Sequence, residues 1–571
     1  MSISLLQEYT RIAKYARYLP EERRRETWRE QVTRVFDMHR KKFAKTPEAL
    51  PFIEEAEQAV LKKEVLGSQR ILQFGGEPIF KHNARVYNCG FGHIDRVSAF
   101  SELMYMLLCG CGIGFSVQTH HVANLPPASR PSTLLVKDYI IPDTIEGWSD
   151  AIGVLMASYL GQDSRFDEYI GYKVEFDYSL IRPAGSPLSS GSKAPGPDGL
   201  RRSIEKIRNL LDDRLSGTPR SALRAIDVYD IIMHAADAVI SGGVRRSATI
   251  ALFSPDDEEM AKAKTGNWFL ENPQRGRSNN SALLVREKTT KQQFNQLMEW
   301  VKEFGEPAFV WADSTEMGFN PCVEIGLYPI DESTGKSGWQ FCNLTEINGK
   351  RANSAENFYK ACRNAAIIGT LQAAYSDFPY LGATTENITK REALLGVSIT
   401  GMMDNPDVLF DPQVQRYGAK IVKEVNKQLA AIIGINQAAR TTCIKPAGST
   451  SCILGTASGI HPHHAKRYFR RVQASSQENP VRHFKTYNPR AVEQSVWDPN
   501  AVTEVITFLC EVPVGAKTKN QINASKLLES VKLTQQNWVR YGTNKDLCVK
   551  PWLSHNVSNT CLLYTSPSPR D

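Results

Sequence analysis

The stretch that decides the fold is Asn320-Pro-Cys-Val-Glu-Ile325, followed closely by Phe341-Cys-Asn-Leu-Thr-Glu346. In an extended strand, side chains two residues apart point to the same face, so the first stretch predicts that Asn320, Cys322 and Glu324 converge on one point. These three groups suit radical or acid–base chemistry on a polyhydroxylated substrate: the thiol exchanges hydrogen, the carboxylate takes a hydroxyl proton and the amide holds the neighbouring hydroxyl. The alternative interpretation is a buried structural cysteine beside a surface Asn and Glu.

Length and composition are those of a globular protein without membrane or secretory signals. The 571 residues allow one large domain with additions, or three or four ordinary ones. No apolar run is long enough to span a bilayer, and the N-terminus lacks a signal-peptide pattern, so we expect a cytoplasmic protein. The eleven cysteines are an odd number scattered along the chain, which favours reduced thiols over a disulfide framework.

The net charge of +8 is modest for this length. It suits anionic small molecules as well as nucleic acid. However, no stripe of basic and aromatic residues predicts a DNA or RNA groove, and we expect no direct nucleic-acid partner.

Hydrophobic periodicity predicts a mixture of helices and strands. Helices are predicted in the first forty-odd residues, at 51–70, 99–108, 143–161 and 228–239, and through 385–436 with Leu394–Thr400 between. Strand-like segments are predicted at 80–89, 115–118 and 249–253. The turn Cys109-Gly-Cys-Gly-Ile-Gly114 follows a helix and lacks G-x-G-x-x-G spacing, so it predicts a tight helix-to-strand connection instead of a dinucleotide site.

Three further loops carry candidate binding chemistry. The Gly/Pro/Ser-rich loop 181–197 is long enough to be functional. Ser241-Gly-Gly-Val-Arg-Arg-Ser-Ala248 suits a nucleotide or phosphate contact at a strand entrance. Pro446-Ala-Gly-Ser-Thr-Ser451 offers hydroxyls and free backbone amides as a phosphate cradle, although it lacks P-loop spacing.

No metal site is predicted from these patterns. Cys109 and Cys111 form C-x-C, which is not a zinc-ligand spacing, and His461, His463 and His464 favour a polar turn because no carboxylate is near them in sequence.

Five motifs occurring in one order resemble the ribonucleotide reductase large chain, most closely the monomeric adenosylcobalamin-dependent (class II) triphosphate reductases. They are Tyr87-Asn-Cys89, Gly242-Gly-Val-Arg-Arg-Ser247, Asn320-Pro-Cys-Val-Glu324, Phe341-Cys-Asn-Leu344 and Pro446-Ala-Gly-Ser-Thr-Ser451. The resemblance runs from about Tyr15 to about Thr560. It implies an α/β fold with a ten-stranded barrel, made of two five-stranded halves antiparallel to each other, with a radical-bearing loop threaded through the middle.

The resemblance also implies roles for five catalytic residues. Cys322 matches the cysteine that becomes a transient thiyl radical and abstracts the substrate's 3′ hydrogen. Glu324 matches the carboxylate that deprotonates the 3′ hydroxyl, and Asn320 the amide that orients the ribose. Cys89 and Cys342 match the redox pair that becomes a disulfide as the 2′ hydroxyl leaves as water, which requires two thiols within disulfide reach.

Two binding sites are implied in the same way. Residues matching the substrate-phosphate loop are Pro446, Ala447, Gly448, Ser449, Thr450 and Ser451, with Ala447 and Ser449 as small-for-small departures from the family pattern. Residues matching the effector and specificity segments are Gly242, Gly243, Arg245, Arg246, Ser247, Arg182 and Asp95, with Arg245 at the position that reads the effector.

The resemblance implies adenosylcobalamin as cofactor, a ribonucleoside triphosphate as substrate, a deoxynucleotide as effector and a thioredoxin-like or dithiol reductant. A helical N-terminal region is expected over 1–75 and the catalytic barrel over 76–560. An effector-site insertion at about 120–181 would favour a monomer, and no ATP cone is expected. Residues 561–571 are typical of a non-native tail, with the family's C-terminal cysteine pair expected beyond them.

Three alternatives remain open from the sequence. The same barrel could be a class I subunit that needs a separate radical-generating protein. A shortened chain could be a catalytically silent nucleotide-binding protein. A glycyl-radical lyase is disfavoured because no matching C-terminal segment is present.

Overall fold

The structure is a computed structural model that describes residues 2–162, 165–186, 194–241, 249–496 and 502–559. None of the described helices is long and apolar enough to cross a membrane.

The helices are α1 (Ser2–Lys14), α2 (Trp28–Lys42), α3 (Leu50–Leu61), α4 (Gln69–Phe74), α5 (Glu77–Lys81), α6 (Ser98–Cys109), α7 (Thr119–Val122), α8 (Ile145–Leu160), α9 (Asp198–Arg214), α10 (Ala225–Ser241), α11 (Glu258–Ala261), α12 (Trp268–Glu271), α13 (Lys291–Phe304), α14 (Ala355–Ala373), α15 (Gly382–Glu392), α16 (Pro406–Leu409), α17 (Pro412–Ile433), α18 (Gly448–Leu454), α19 (Asn479–Tyr487) and α20 (Ala524–Thr534).

The strands are β1 (Tyr18–Leu19), β2 (Arg24–Arg25), β3 (Val65–Leu66), β4 (Cys89–His93), β5 (Gly112–Ser116), β6 (Ala128–Ser129), β7 (Ser132–Ile140), β8 (Tyr172–Asp177), β9 (Arg220–Ser221), β10 (Thr249–Phe253), β11 (Ser278–Val285), β12 (Ala308–Ala312), β13 (Gly318–Phe319), β14 (Gly326–Leu327), β15 (Ile330–Asp331), β16 (Lys336–Ser337), β17 (Trp339–Asn348), β18 (Leu395–Thr400), β19 (Arg467–Ser475), β20 (Val492–Gln494) and β21 (Thr503–Glu511).

The main sheet consists of two parallel sets of strands that meet in an antiparallel pair. Its order is β12-β11-β10-β5-β4-β17-β18. The first five of these strands are mutually parallel, whereas β17 runs antiparallel to β4 and parallel to β18. Parallel bridges from Val397 to Thr442 and from Ile444 to Val557 extend the second set. The expected arrangement of two antiparallel halves is therefore present, with five strands in the first half.

The sheet separates two apolar cores. Along β4, Cys89 and Phe91 belong to a cluster on the inner face of the sheet, which also contains Phe319 and Cys342. The larger cluster lies between the sheet and the helices and contains Trp339 and Phe341 of β17. Because strand side chains alternate between faces, a sheet buried on both sides supplies both cores, as expected for parallel strands covered by helices.

The N-terminal helices are joined directly to this sheet. Helix α2 begins with a capping box between Thr27 and Glu30, and α3 packs on α14. Strand β3 pairs with β17 through Leu66 and Glu346. The helical N-terminal region predicted from the sequence is present, and it is anchored to the central strand of the barrel.

Helix α8 lies within the segment predicted as an effector-site insertion. It packs on α6 and α9, and nearly every residue from Gly147 to Leu160 is buried. Ahead of α8, strand β7 pairs in parallel with β8 as a separate two-stranded sheet.

Two of the predicted segments in this region differ from the structure. The predicted helix 51–70 ends at Leu61 and is followed by β3. The segment 80–89 is not a strand; it consists of the end of α5 and a 3-10 turn at Asn83–Val86, and the strand begins only at Cys89. Within β4, a Cβ at Gly92 would lie 2.4 Å from the Trp339 ring, so glycine lets this strand pass β17 closely.

Candidate functional site

The loop that carries Cys322 connects β13 to β14 and passes along the inner face of the sheet. A Cβ on Gly114 of β5 would lie 1.8 Å from the Phe319 carbonyl oxygen, and one on Gly318 would overlap the Phe91 ring. Glycine at both positions is therefore what lets the hairpin lie against β4 and β5. We call residues 318–327 the finger.

The tip of the finger is a turn, and the predicted extended strand at Asn320–Glu324 is wrong. The Val323 amide donates to the Asn320 carbonyl at 2.9 Å, and Val323 has a φ of +64°. A positive φ at a β-branched residue is unfavourable unless the surroundings enforce it. Here the Asn556 side chain donates to the Val323 carbonyl at 3.0 Å, and the Asn556 amide donates to the Glu324 carbonyl at 2.8 Å.

Asn320 nevertheless brings the predicted groups together. Its Nδ2 donates to Glu324 Oε2 at 2.7 Å and to Cys89 Sγ at 3.1 Å, and its Oδ1 accepts from the Ile325 amide at 3.0 Å. Asn320 and Glu324 are each only 2% exposed. The turn, not strand alternation, produces the convergence, because residues four apart in a tight turn can contact each other directly.

Cys89 and Cys342 face each other across the junction of the two half-barrels. They are direct partners in the antiparallel register of β4 and β17, and both thiols are free. Directly opposed residues of an antiparallel pair project to the same face with Cβ atoms about 4.5–5.5 Å apart, so a disulfide needs only a small adjustment.

Burial keeps this thiol pair in the neutral form. It raises the pKa of Cys89 well above its usual value, and the charge of Glu324 raises it further. Burial likewise raises the pKa of Cys342. Thiols of this kind are poor thiolate nucleophiles, but they retain the S–H bonds needed to supply hydrogen to a neighbouring radical.

Cys322 differs from Cys89 and Cys342 because it is exposed at the tip of the finger. It lies close enough to Cys89 to contribute, after burial and Glu324, to the raised pKa of that thiol. The finger therefore presents one accessible thiol beside two buried ones.

The comparisons with known proteins agree with this geometry, although no family model matches the chain. A Dictyostelium discoideum protein named a probable adenosylcobalamin-dependent ribonucleoside-triphosphate reductase is 25% identical over 70% of this chain and 52% of its own length. Two further relatives are named adenosylcobalamin-dependent ribonucleoside-triphosphate reductase. The protein from Euglena gracilis is 24% identical over 85% of this chain and 66% of its own length. The protein from Lactobacillus leichmannii is 25% identical over 80% of this chain and 73% of its own length. The chain thus spans between about half and three quarters of these relatives.

A solved crystal structure of a B12-dependent (class II) ribonucleotide reductase superposes with a TM-score of 0.78 at 20% identity, covering 98% of this chain and 88% of that one. This chain has the class II ribonucleotide reductase fold. The resemblance read from the five motifs and the expected barrel architecture are both confirmed.

The loop predicted to bind substrate phosphates in this ribonucleotide reductase fold leads into α18. Ala447 precedes the helix in the left-handed conformation, with a φ of +55°. The Ser449 hydroxyl contacts Tyr15 Oη at 2.7 Å and Gln69 Oε1 at 3.0 Å, so the N-terminal helices line one side of the loop. Thr450 and Ser451 are buried.

A buried charged pair beside this loop was missed in the sequence. Lys445 Nζ lies 3.5 Å from Glu346 Oε1 and donates to Thr450 Oγ1 at 3.3 Å. Glu346 is 1% exposed, and burial raises its pKa to about 7. Cys342, Leu344 and Glu346 share one face of β17, so the alternation after Cys342 was the signal that pointed to Glu346.

Two further side chains near the redox pair were also missed. His555 Nε2 donates to the Leu395 carbonyl at 3.0 Å and lies 3.9 Å from Cys342 Sγ. Burial lowers the pKa of His555 to about 3, so the ring is neutral. Cys443 belongs to the same inner cluster as Cys89 and Cys342. Neither residue lies in a motif, and only the closing of the barrel brings them to the site.

The predicted effector residues are placed only in part. Gly242, Gly243, Arg245, Arg246 and Ser247 lie outside the described residues. Arg182 forms an ion pair with Asp143, at 2.5 Å, just before α8. Asp95 instead accepts from Ser337 Oγ at 2.8 Å and pairs with Arg96.

A cavity of about 500 Å³ lies between β8 and α9, close in sequence to Arg182. Arg201 and Arg208 contribute positive charge to its wall, and Glu175, Asp177 and Glu205 contribute negative charge. The cavity is thus polar and of mixed charge, and it is lined by residues 175–179 and by α9; Arg182 and Asp95 are not among its lining residues.

Proposed function

We propose that this chain catalyses the adenosylcobalamin-dependent reduction of ribonucleoside triphosphates to 2′-deoxyribonucleoside triphosphates. The observation that carries the proposal is the opposed pair Cys89 and Cys342 at the junction of the half-barrels, with the finger holding Asn320 against Cys89. Reduction of a ribose carbon requires two electrons, and two thiols positioned to form a disulfide supply them.

The proposed roles follow from chemistry and placement. Cys322, as a thiyl radical, abstracts the 3′ hydrogen, and Glu324 takes the proton of the 3′ hydroxyl. Asn320 orients Glu324 and the ribose. Loss of the 2′ hydroxyl as water is balanced by oxidation of Cys89 and Cys342 to a disulfide, and the 3′ hydrogen returns from Cys322.

The exposure of Cys322 is compatible with adenosylcobalamin as the cofactor. When bound, adenosylcobalamin would supply the radical chemistry that Cys322 needs to form a thiyl, so a large molecule would have to come close to this sulfur. The exposed thiol at the finger tip meets that requirement, whereas buried Cys89 and Cys342 do not. The relatives and the fold favour this cofactor over a class I radical subunit.

The Pro446–Ser451 loop would receive the triphosphate, because hydroxyls, backbone amides and the Lys445 charge converge there. We further propose a deoxynucleotide effector near Arg182, Asp95 and residues 242–247, a dithiol or thioredoxin-like reductant, and a monomeric enzyme.

The test is anaerobic exchange of tritium from 5′-tritiated adenosylcobalamin into water, with an effector nucleotide present. Exchange requires a reversible thiyl at Cys322, and it does not require turnover of the redox pair. We expect exchange in the parent chain and none in Cys322→Ser.

The matched control is Cys510→Ala, because Cys510 is buried in β21 in a separate apolar cluster. This variant should exchange like the parent, and circular dichroism verifies folding of all three chains. Absence of exchange from a well-folded parent, or undiminished exchange in Cys322→Ser, would contradict the proposal.

A further inference from the structure

Three histidines and one carboxylate cluster at the end of β4 and β5 opposite the redox pair. His93 ends β4, His120 and His121 lie in α7 after β5, and Glu316 precedes the finger. One side-chain ligand atom from each of His93, His121 and Glu316 lies within 4.8 Å of the other two. His93 and His121 are buried, and Glu316 is partly exposed, so the cluster is reachable from solvent.

The contacts direct ring nitrogens at the Glu316 carboxylate. His121 Nε2 lies 3.1 Å from Glu316 Oε2, His120 Nε2 lies 2.9 Å from Oε1, and His93 Nδ1 lies 3.9 Å from Oε2. In a tetrahedral zinc site with bonds of about 2.0–2.1 Å, neighbouring ligand atoms are about 3.4 Å apart. The observed separations of 2.9 Å, 3.1 Å and 3.9 Å lie on both sides of that distance.

In both His93 and His121, the ring nitrogen that faces away from the carboxylate already has a hydrogen-bond partner, as is common in metal sites. His93 Nε2 donates to the Glu316 backbone carbonyl at 3.0 Å, which leaves its Nδ1 lone pair facing the carboxylate. His121 Nδ1 contacts Ser116 Oγ at 2.8 Å. Metal-ligating histidines commonly make such a second hydrogen bond, which fixes the ring orientation.

The residue types also suit a cation of this class. Imidazole nitrogens and carboxylate oxygens are both ligands that zinc binds in proteins.

One adjustment is required. The His93 and His121 rings are stacked, with centroids 3.7 Å apart and planes 18° apart, whereas a metal prefers to lie in the plane of each ring. Metal binding therefore requires the rings to tilt apart about the second side-chain torsion of histidine, whose energy minima are broad.

We propose that His93, His121 and Glu316 bind one divalent transition-metal ion of the zinc class, with His120 hydrogen-bonded to Glu316 beside the ion. The ion would tie β4, α7 and the segment before the finger together. This site is separate from the proposed radical chemistry, so it can succeed or fail independently of the reductase proposal.

The test uses the full chain, free of cobalamin and washed with chelator, and measures bound Zn²⁺ by elemental analysis after gel filtration. We expect one equivalent per chain and a Zn²⁺-dependent rise in the midpoint of thermal unfolding. His93→Gln and Glu316→Gln should each weaken binding by at least about tenfold and abolish that rise.

His464→Gln is the matched control, because His464 is exposed and lies outside the cluster; it should bind like the parent. If His93→Gln does not fold, zinc binding by the Glu316→Gln variant tests the proposal, because Glu316 is partly exposed. Co²⁺ in place of Zn²⁺ should give visible bands without the strong near-ultraviolet absorption of thiolate ligation. Zinc that is absent from the folded parent, that is unaffected by both variants, or that is bound through thiolates would overturn the proposal.

Discussion

Glu346 combines a buried carboxylate with a single nearby cation. Its side chain lies beside Lys445, and burial raises its pKa from the usual 4.5 to about 7. A carboxyl group whose pKa is raised by folding contributes its full stability below the unfolded value and loses it as pH rises through the folded value. The chain should therefore lose stability between about pH 4.5 and 7 because of this residue.

Glu346→Gln tests this expectation. The amide cannot ionise, so the variant should become more stable relative to the parent as pH rises from 5 to 8, by on the order of 2 kcal/mol. Denaturant unfolding of both chains at several pH values measures the difference. Glu287→Gln, on an exposed turn, is the control, and a parent–variant difference that does not change with pH would contradict the assignment.

The redox pair shows how far individual residues could be predicted. Cys89 and Cys342 were named from their motifs, and the register of β4 and β17 places them opposite each other. The sequence assigns no role to Lys445 or Glu346, although Lys445 directly precedes the predicted phosphate loop and Glu346 ends the second quoted stretch. Their significance depends on burial, which a single sequence does not show at isolated charged positions.

The finger is an element whose position depends on one glycine. A Cβ at Gly114 would meet the Phe319 backbone oxygen, and a backbone atom cannot move aside as a flexible side chain can. Gly114→Ala should displace the finger, cost about 1–3 kcal/mol in unfolding free energy and reduce tritium exchange strongly.

Gly276→Ala is the matched substitution. A Cβ there would make an ordinary contact of 3.7 Å with the Trp268 ring, so stability and exchange should remain close to those of the parent. Thermal unfolding and the exchange assay on both variants make the comparison. Parent-like exchange in Gly114→Ala would show that the finger does not need this close approach.

Prediction of elements succeeded where periodicity was long and failed where it was short. The helices at 99–108, 143–161 and 228–239 and the strand at 249–253 lie close to their predicted bounds, whereas the predicted helical region 385–436 is divided into α15, β18, α16 and α17. The sequence predicts extended structure both before Cys89 and at the tip of the finger, and both predictions are wrong. In each case short polar–apolar alternation occurs in a turn, because packing against a neighbouring strand outweighs local preference.

A fully buried ion pair links separate parts of the second half-barrel. Arg440 Nη1 donates to Glu392 Oε1 at 2.7 Å, and neither side chain is exposed. Glu392 also accepts from Gln340 Nε2 of β17 at 2.6 Å and from the Val549 amide at 3.0 Å. The pair therefore connects β17, the end of α15, the segment after α17 and the C-terminal part of the described chain.

Arg440→Met should destabilise the whole chain by about 3–5 kcal/mol, because it leaves the buried Glu392 with only the longer contact of 3.5 Å to the partly exposed Arg391. The double variant Arg440→Met with Glu392→Leu should recover part of that loss. Arg467→Met removes one partner of the exposed pair with Glu511 and should cost less than about 1 kcal/mol. Denaturant unfolding of the four chains tests the order, and equal losses for the buried and exposed pairs would contradict it.

The same pair has a pH dependence of opposite sign to that of Glu346. Burial alone would raise the pKa of Glu392, but Arg440 lowers it to about 2. Its stabilising contribution is therefore present above about pH 4.5 and is lost as pH falls toward 2, so Glu392 should contribute to acid unfolding.

The fold and most long elements followed from the sequence, because they depend on motif order and on periodicity over many residues. The roles of the five catalytic residues stay predictions that rest on the same motifs. Only the tertiary structure decided that the finger ends in a turn, that Lys445 and Glu346 are buried together, and that His93, His121 and Glu316 meet. Those juxtapositions join residues far apart in the chain. They depend on strand register and on how closely backbones approach each other inside the barrel. No local sequence pattern encodes the register or the closeness of that approach.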